Sequence, residues 1–323
     1  MRFAVLLLLA WTAVAQNVVT GAGYVDPVPI NIAPGQVLTI FVQGVGSSLT
    51  GPVVAPPGKL PITLGGISVT VEQGNDYSAP IMQVRPVSTC GNCGALTAIT
   101  IQIPYEVRPA CLPNIVCPVD SSAIVITRLR VSENGRPGSF VVLNIQQDRV
   151  HILTGCDNVL AQNTGNPALP CQPLVTHADG SLVTASRPAQ PGEPLTAYAV
   201  GLGATTPAVP TGEPATGVAR ATETFTLNFN YRENAGPTRA PRPVGSPPTD
   251  PKPLYAGLTP GYAGLYQVNF VVPEPPSLRI VPGCVDPNTA KPGDILVQSN
   301  LTVSVIGDTS FDGAGICVAV PAP

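Results

Sequence analysis

The chain has 323 residues, 44% of them apolar and 11% charged, with a net charge of −3. This balance excludes an unfolded polyelectrolyte and leaves ample material for a hydrophobic core. Its three lysines, Lys59, Lys252 and Lys291, are too few for a basic patch that would hold nucleic acid or anionic lipid.

At the amino end Met1-Arg2 supplies a short positive start, and Ala4 to Ala15 form a run that is apolar except for Thr12. The run closes on Ala13-Val14-Ala15, the small-x-small pattern of a signal-peptidase site, so cleavage before Gln16 and export are expected. A membrane-spanning helix needs about 20 apolar residues, more than this run provides. No cysteine follows the site to carry a lipid anchor, and no later stretch predicts a span. Cleavage removes Arg2 and takes the net charge from −3 to −4. The remaining length fits two domains.

Beyond the leader, helical periodicity is absent. Short β-type runs recur instead: Val37–Val42, Ile67–Val71, Ile99–Ile103, Ala123–Thr127 and Phe140–Ile145. Several alternate apolar with polar, the period of a strand with one buried face. The 39 prolines and 32 glycines between them read as turn punctuation. The predicted fold class is all-β, as two tandem immunoglobulin-like β-sandwiches.

The second half repeats the first. Ala33-Pro-Gly-Gln-Val-Leu-Thr-Ile-Phe-Val-Gln-Gly-Val-Gly46 aligns with Gln190-Pro-Gly-Glu-Pro-Leu-Thr-Ala-Tyr-Ala-Val-Gly-Leu-Gly203. Ile99–Glu106 pairs with Tyr266–Glu274 after one insertion, and the stretch Asp294–Ile306 resembles the hairpin expected at 123–145. The pattern predicts an internal duplication, with one sandwich over 16–152 and the other over 153–323. In each copy Pro-Gly makes a tight turn, the strand after it enters the core, and Gly-x-Gly turns the chain at the sandwich edge. No Lys-Ser/Thr or helix follows these glycines, so a phosphate loop is not indicated. Two loops rich in Pro, Gly and Thr, Thr205–Ala219 and Asn234–Pro253, lack strand alternation and read as surface excursions.

All eight cysteines lie after the leader, and in an oxidising compartment an even count points to disulfides. Cys156 and Cys171 bracket a polar loop, Cys284 and Cys317 bracket the last segment, and Cys90, Cys93, Cys111 and Cys117 form a cluster. Roughly a hundred pairings are open to eight cysteines, so spacing only favours partners. The cluster has two rival readings, a four-thiolate zinc site and a redox-active Cys-x-x-Cys. The first is strained by the spacing of Cys111 and Cys117, the second by the absence of a βαβ context.

Catalytic equipment is sparse. The two histidines are His151 and His177, and no Gly-x-Ser-x-Gly elbow accompanies them. His177-Ala-Asp179 runs into Gly180-Ser181, where Asp-Gly signals a hairpin, so a solvated turn is expected. His151 follows a strand and reads as a structural or edge position. Carboxylates are scattered, without the pair that glycoside hydrolysis needs. Asp308 to Gly313 resembles a calcium loop only faintly, lacking the alternating ligands and the terminal Glu. No cofactor motif is present. The one suggestive feature is aromatic: Tyr255, Tyr262 and Tyr266, interleaved with Gly257, Gly261 and Gly264. Aromatics on a glycine-rich segment make a candidate binding face, and packing at the sandwich edge is the plainer alternative.

At Ile32–Val42, Cys171–Val183, Pro191–Gly203 and Leu254–Asn269 the chain resembles a family of secreted bacterial proteins, known chiefly from acidobacteria. These carry a duplicated C-terminal domain of the Solibacter type, related to IPT/TIG immunoglobulin-like modules. The resemblance spans nearly all of the chain after the leader and implies fold and location, with no reaction, cofactor or catalytic residue. The functional expectation is a non-catalytic secreted module for protein contact, adhesion or surface structure. The alternative is a carbohydrate-binding module that meets a polysaccharide through the 254–266 aromatics; an enzyme of unrecognised type stands third.

Overall fold

A chain of short alternating runs cannot satisfy its backbone polar groups singly, so the strands must pair and bury one face against another sheet. The computed structural model does this, and it describes residues 18–22, 30–90, 94–109, 126–155, 157, 171–234, 250–275, 283–305 and 310–319. The predicted leader and its cleavage site lie outside these residues.

The first half contributes β1 (Val18–Ala22), β2 (Ile30–Ile32), β3 (Val37–Gln43), β4 (Val53–Val54) and β5 (Thr63–Leu64). It continues with β6 (Ile67–Gln73), β7 (Asn75–Ala79), β8 (Ile81–Cys90), β9 (Gly94–Gln102), β10 (Thr127–Glu133) and β11 (Arg136–Ile145). The second half holds β12 (His151–Ile152), β13 (Val175–Thr176), β14 (Pro194–Val200), β15 (Thr205–Thr206) and β16 (Ala219–Ala221). It ends with β17 (Phe225–Asn230), β18 (Tyr255–Leu258), β19 (Tyr266–Val271), β20 (Ser299–Val305) and β21 (Phe311–Ile316). No helix occurs among the described residues. None is therefore long and apolar enough to cross a membrane.

Each half is a sandwich. In the first, the sheet β1-β3-β9-β8-β4 faces the sheet β2-β11-β10-β6-β5, with β7 added beside β6. Leu38, Ile40, Ile99 and Ile101 from one sheet meet Ile67, Val69, Leu129 and Val131 from the other. In the second, β12-β14-β19-β18-β16-β15, with β13 beside β14, faces β17-β20-β21. Its core gathers Leu195, Ala197, Phe229, Phe270, Leu301 and Val303.

The repeated block reads out as repeated hydrogen bonds. Gly35 N–H donates to Ile103 O at 3.0 Å and Ile103 N–H to Gln36 O at 2.8 Å. The same pair recurs as Gly192 N–H to Val272 O and Val272 N–H to Glu193 O, at 2.8 and 2.9 Å. In both turns the side chain after the glycine reaches back to an amide. Gln36 Oε1 accepts from Ala33 N–H, and Glu193 Oε2 accepts from Gln190 N–H, each at 2.8 Å. Both glycines hold positive φ, 73° and 80°, which explains why that position is glycine twice.

Two expectations need correction, and a third lies largely outside the described residues. The arm expected over Asp294–Val297 is not a strand; β20 instead pairs with β17 and β21, so the hairpin lies closer to the carboxyl end. The strand expected at Ala123–Thr127 falls outside the described residues apart from its last two, and β10 starts at Thr127. Finally, Thr205–Ala219 is not a free surface loop but packs onto the first sandwich. Gly212 N–H donates to Gln102 Oε1 at 2.7 Å, and Leu60 N–H donates to Gly212 O at 2.8 Å. Thr211 Oγ1 accepts from Tyr105 N–H at 2.9 Å and donates to Glu106 at 2.7 Å. Thr211 and Gly212 bond to the first sandwich, while Thr206, Pro210, Thr216 and Val218 stay exposed. Of the Asn234–Pro253 loop, 235–249 lie outside the described residues.

These contacts rigidify the junction. Val37 on β3 buries against Leu153 and Val200, with Met82, Leu174, Tyr198 and Leu265 around them. β3 therefore hides both faces, one in its own core and one under the second sandwich. The connection between the sandwiches is also tied down, since Arg149 N–H donates to Gly201 O at 2.7 Å.

Candidate functional site

The densest group of titratable side chains surrounds His151. β12 places the imidazole between β21 and the turn at 154–157. Nδ1 lies 2.8 Å from Asp312 Oδ2, and Nε2 lies 3.0 Å from Asp157 Oδ1. Both carboxylates are held from behind. Asp312 Oδ2 accepts Ile152 N–H at 2.9 Å, and Asp157 Oδ2 accepts the Thr154 amide at 2.5 Å and its hydroxyl at 3.1 Å.

Carboxylates only accept, so both ring nitrogens carry protons and the ring is an imidazolium. Burial opposes that charge, but the contacts with Asp157 and Asp312 outweigh it and raise the pKa from 6.5 to about 9. A general base needs a free ring lone pair, and here neither nitrogen offers one. The group is an ionic staple that fastens the first strand of the second sandwich to its last. Sequence reasoning placed His151 as structural but missed both partners. Asp312 lies 161 positions away along the chain, and no local pattern announces such a pairing.

His177 departs from expectation. Asp179 and Gly180 do form the turn, with Gly180 N–H donating to His177 O and Asp179 exposed. Asp179 accepts both the amide and the hydroxyl of Ser181 and pairs with Arg187 at 2.6 Å, which holds its carboxyl well below the usual range. His177 itself is buried rather than solvated. Its Nδ1 meets Glu193 Oε1 at 2.6 Å, and its Nε2–H donates to Arg187 O at 3.2 Å. Burial pushes the Glu193 pKa up, yet the bonds from His177 and the Gln190 amide leave it lowered overall. Where the turn in the first half has Gln36, the matching turn in the second has Glu193, whose spare oxygen engages this histidine.

The aromatic segment does not form one face. Tyr262 is exposed at 58%. Tyr255 is half-buried, its hydroxyl directed to Leu258 O at 2.8 Å and Ala219 O at 3.1 Å. Tyr266 is fully buried, which corrects its place in the candidate binding face. Its register position in β19 is that of Thr97 in β9. Thr97 Oγ1 donates to Val45 O at 2.7 Å, and the Tyr266 hydroxyl likewise donates into its own Gly-x-Gly turn, at Gly203 O. It also meets the Tyr105 hydroxyl across the junction at 3.0 Å. Burial pushes both phenols up. Of the interleaved glycines Gly264 serves the junction, since a Cβ there would sit 2.5 Å from Val37 Cγ2, whereas one on Gly261 would meet nothing within 4 Å.

No protein-family model matches this chain. No curated protein matches it either.

Cys284 and Cys317 form a disulfide with Cα atoms 5.9 Å apart, joining the segment before β20 to the strand end after β21. Cys171 is also disulfide-bonded, and no described cysteine is free. Cys156, Cys93, Cys111 and Cys117 lie outside the described residues, and so does the side chain of Cys90, the last residue of β8. Among the described residues no group of three or more His, Cys, Asp or Glu is arranged to hold a metal ion. Of the faint calcium loop, 308 and 309 are outside the described residues, and Asp312 is committed to His151.

A groove of about 350 Å³ runs along the 207–219 loop between Val209, Pro210, Glu213 and Val218. Glu213, the one carboxylate in it, is paired with Lys59 at 2.8 Å.

Proposed function

We propose that the protein is a non-catalytic, exported contact module: two fused sandwiches that hold a binding surface in fixed orientation outside the cell. The observation that carries this reading is how the reactive side chains are spent. His151 is ion-paired with Asp157 and Asp312, and His177 is bonded to Glu193 and Arg187 O, so both histidines tie elements of the fold together. The junction residues Gln102, Tyr105, Thr211, Gly212 and Tyr266 serve rigidity in the same way. A contact module benefits from such rigidity, because a surface that is already ordered loses less entropy on binding.

The export signal at 1–15 and the Cys284–Cys317 disulfide support an extracellular or periplasmic setting. The matched turn hydrogen bonds, together with the parallel pairing of β2 with β11 and of Ala189 with Val318, support descent of both sandwiches from one IPT/TIG-like unit. The resemblance to the Solibacter-type family points the same way.

The test is retention. The labelled mature chain, disulfides intact, is titrated onto cells and cell-wall material of the producing organism. Saturable binding without chemical change of the bound material is expected. Multiple turnover of any component, abolished in His151→Asn, would overturn the reading, and so would an absence of saturable binding.

A further inference from the structure

We propose that Met82 is an oxidation site through which a hydroperoxide loosens the junction between the two sandwiches. The site does not depend on what the protein binds.

Besides Met1, which falls in the expected leader, Met82 is the chain's only methionine. It stands at an irregularity of β8. Ile81 pairs with Ile101 and Gln83 with Thr100, so Met82 is an extra residue with no counterpart of its own on β9. Such a bulge re-aims the side chains around it. Strict alternation would put Ile81 and Gln83 in the core together; here Ile81 and Val84 enter it instead. Met82 turns to the other face, where it packs against Val37, Leu153 and Val200.

This junction cluster is lopsided. The first sandwich supplies only Val37 and Met82; its other members, Leu153 and Val200 among them, come from the second. Only Val37, Leu153 and Val200 are fully buried, whereas each sandwich core is a continuous set of buried side chains. Around the cluster the junction is polar: the Gly212 amide meets Gln102, and Thr211 meets Tyr105 and Glu106. Water can replace those partners as the sandwiches part, so the apolar cluster supplies most of the net attraction there. Spoiling one of the two side chains that the first sandwich contributes therefore weakens the junction before it touches either core.

Met82 is half-buried, at the edge of the cluster, within reach of a molecule as small as hydrogen peroxide. Its sulfur lone pair attacks one peroxide oxygen, the O–O bond breaks, and hydroxide leaves. Hydroxide then takes the proton from the new S–OH group, so the products are a sulfoxide and water. Sulfur loses two electrons and the peroxide gains them. A sulfoxide among apolar side chains forgoes hydrogen bonds to water, which it regains when the junction opens. Competing targets are few. No described cysteine is free, and Trp11, the one tryptophan, falls in the expected leader.

The experiment treats the folded mature chain, disulfides intact, with hydrogen peroxide and follows peptide mass and amide hydrogen exchange together. One added oxygen at Met82 is expected. With it, the amides of Leu60, Tyr105 and Gly212, which bond across the junction, should exchange about tenfold faster or more. Amides of β10 and β20, each central in its sheet, should keep their rates. Met82→Leu should be indifferent to peroxide. A Met82 that stays unoxidised under conditions that fully oxidise the urea-unfolded chain would overturn the proposal. So would oxidation without faster junction exchange, an equal acceleration in β10 and β20, or a peroxide response that persists in Met82→Leu.

Discussion

His151 gives the sharpest quantitative handle on this fold. Its pKa rises from 6.5 to about 9 on folding, and each unit is worth 1.36 kcal/mol. The staple therefore contributes at most about 3 kcal/mol, the side chain being 19% exposed and only partly screened. The folded pKa is the higher one, so folding stabilises the protonated ring. The contribution is full below pH 6.5, falls as the pH rises, and is gone above about pH 9. Urea unfolding of wild type and His151→Gln at half-unit steps from pH 5.5 to 9.5 measures it. The wild type should lose about 3 kcal/mol more than the variant across that window. At pH 6 the variant should be the weaker by about 3 kcal/mol or more, since Asp157 and Asp312 are left without their cation. Comparing the two proteins cancels the tyrosines and other groups they share. Parallel stability curves would refute the staple.

Other perturbations probe the junction and the covalent tie. Gly264→Ala places a Cβ against Val37 at positive φ, 67°; a loss of about 1–3 kcal/mol is expected, with faster proteolysis between the sandwiches. Tyr266→Phe leaves the Gly203 carbonyl and the Tyr105 hydroxyl short of a partner, at a cost of about 1–3 kcal/mol by chemical denaturation. Tyr262→Ala, on an exposed ring, should stay within about 0.5 kcal/mol of wild type in the same assay. Replacing Cys284 and Cys317 together by Ser removes a cross-link spanning 33 positions; about 4 kcal/mol should be lost in the chain-entropy account, read from the urea midpoint.

Much of the architecture could be read in the amino-acid order because it depends on local periodicity. Alternation in Ile67–Val71 specifies one buried face whatever lies opposite, and Pro-Gly specifies a turn at 34–35 and at 191–192. An even cysteine count after the expected export signal anticipates disulfides without fixing their partners, and Cys284 with Cys317 is the pair for which the structure supplies one.

What the order of residues could not decide is which surface meets which. Nothing local to Tyr266 distinguishes a ring in solvent from one under the other sandwich; docking of Gly264 onto Val37 decides it. Asp312 looks like part of a loop until the sheet brings it to His151. Thr205–Ala219 is polar enough for a surface loop, yet its Thr211 hydroxyl and Gly212 amide are matched by Tyr105, Glu106 and Gln102. In the other direction, Phe140 and Val142 look like core residues by type, and only the pleat of β11 turns them outward beside Arg128. The periodicity of each strand follows from the residues themselves, because side-chain direction alternates along any extended backbone. The partners across a sheet, a junction or a charge cluster are set by docking, a long-range choice that local pattern does not encode.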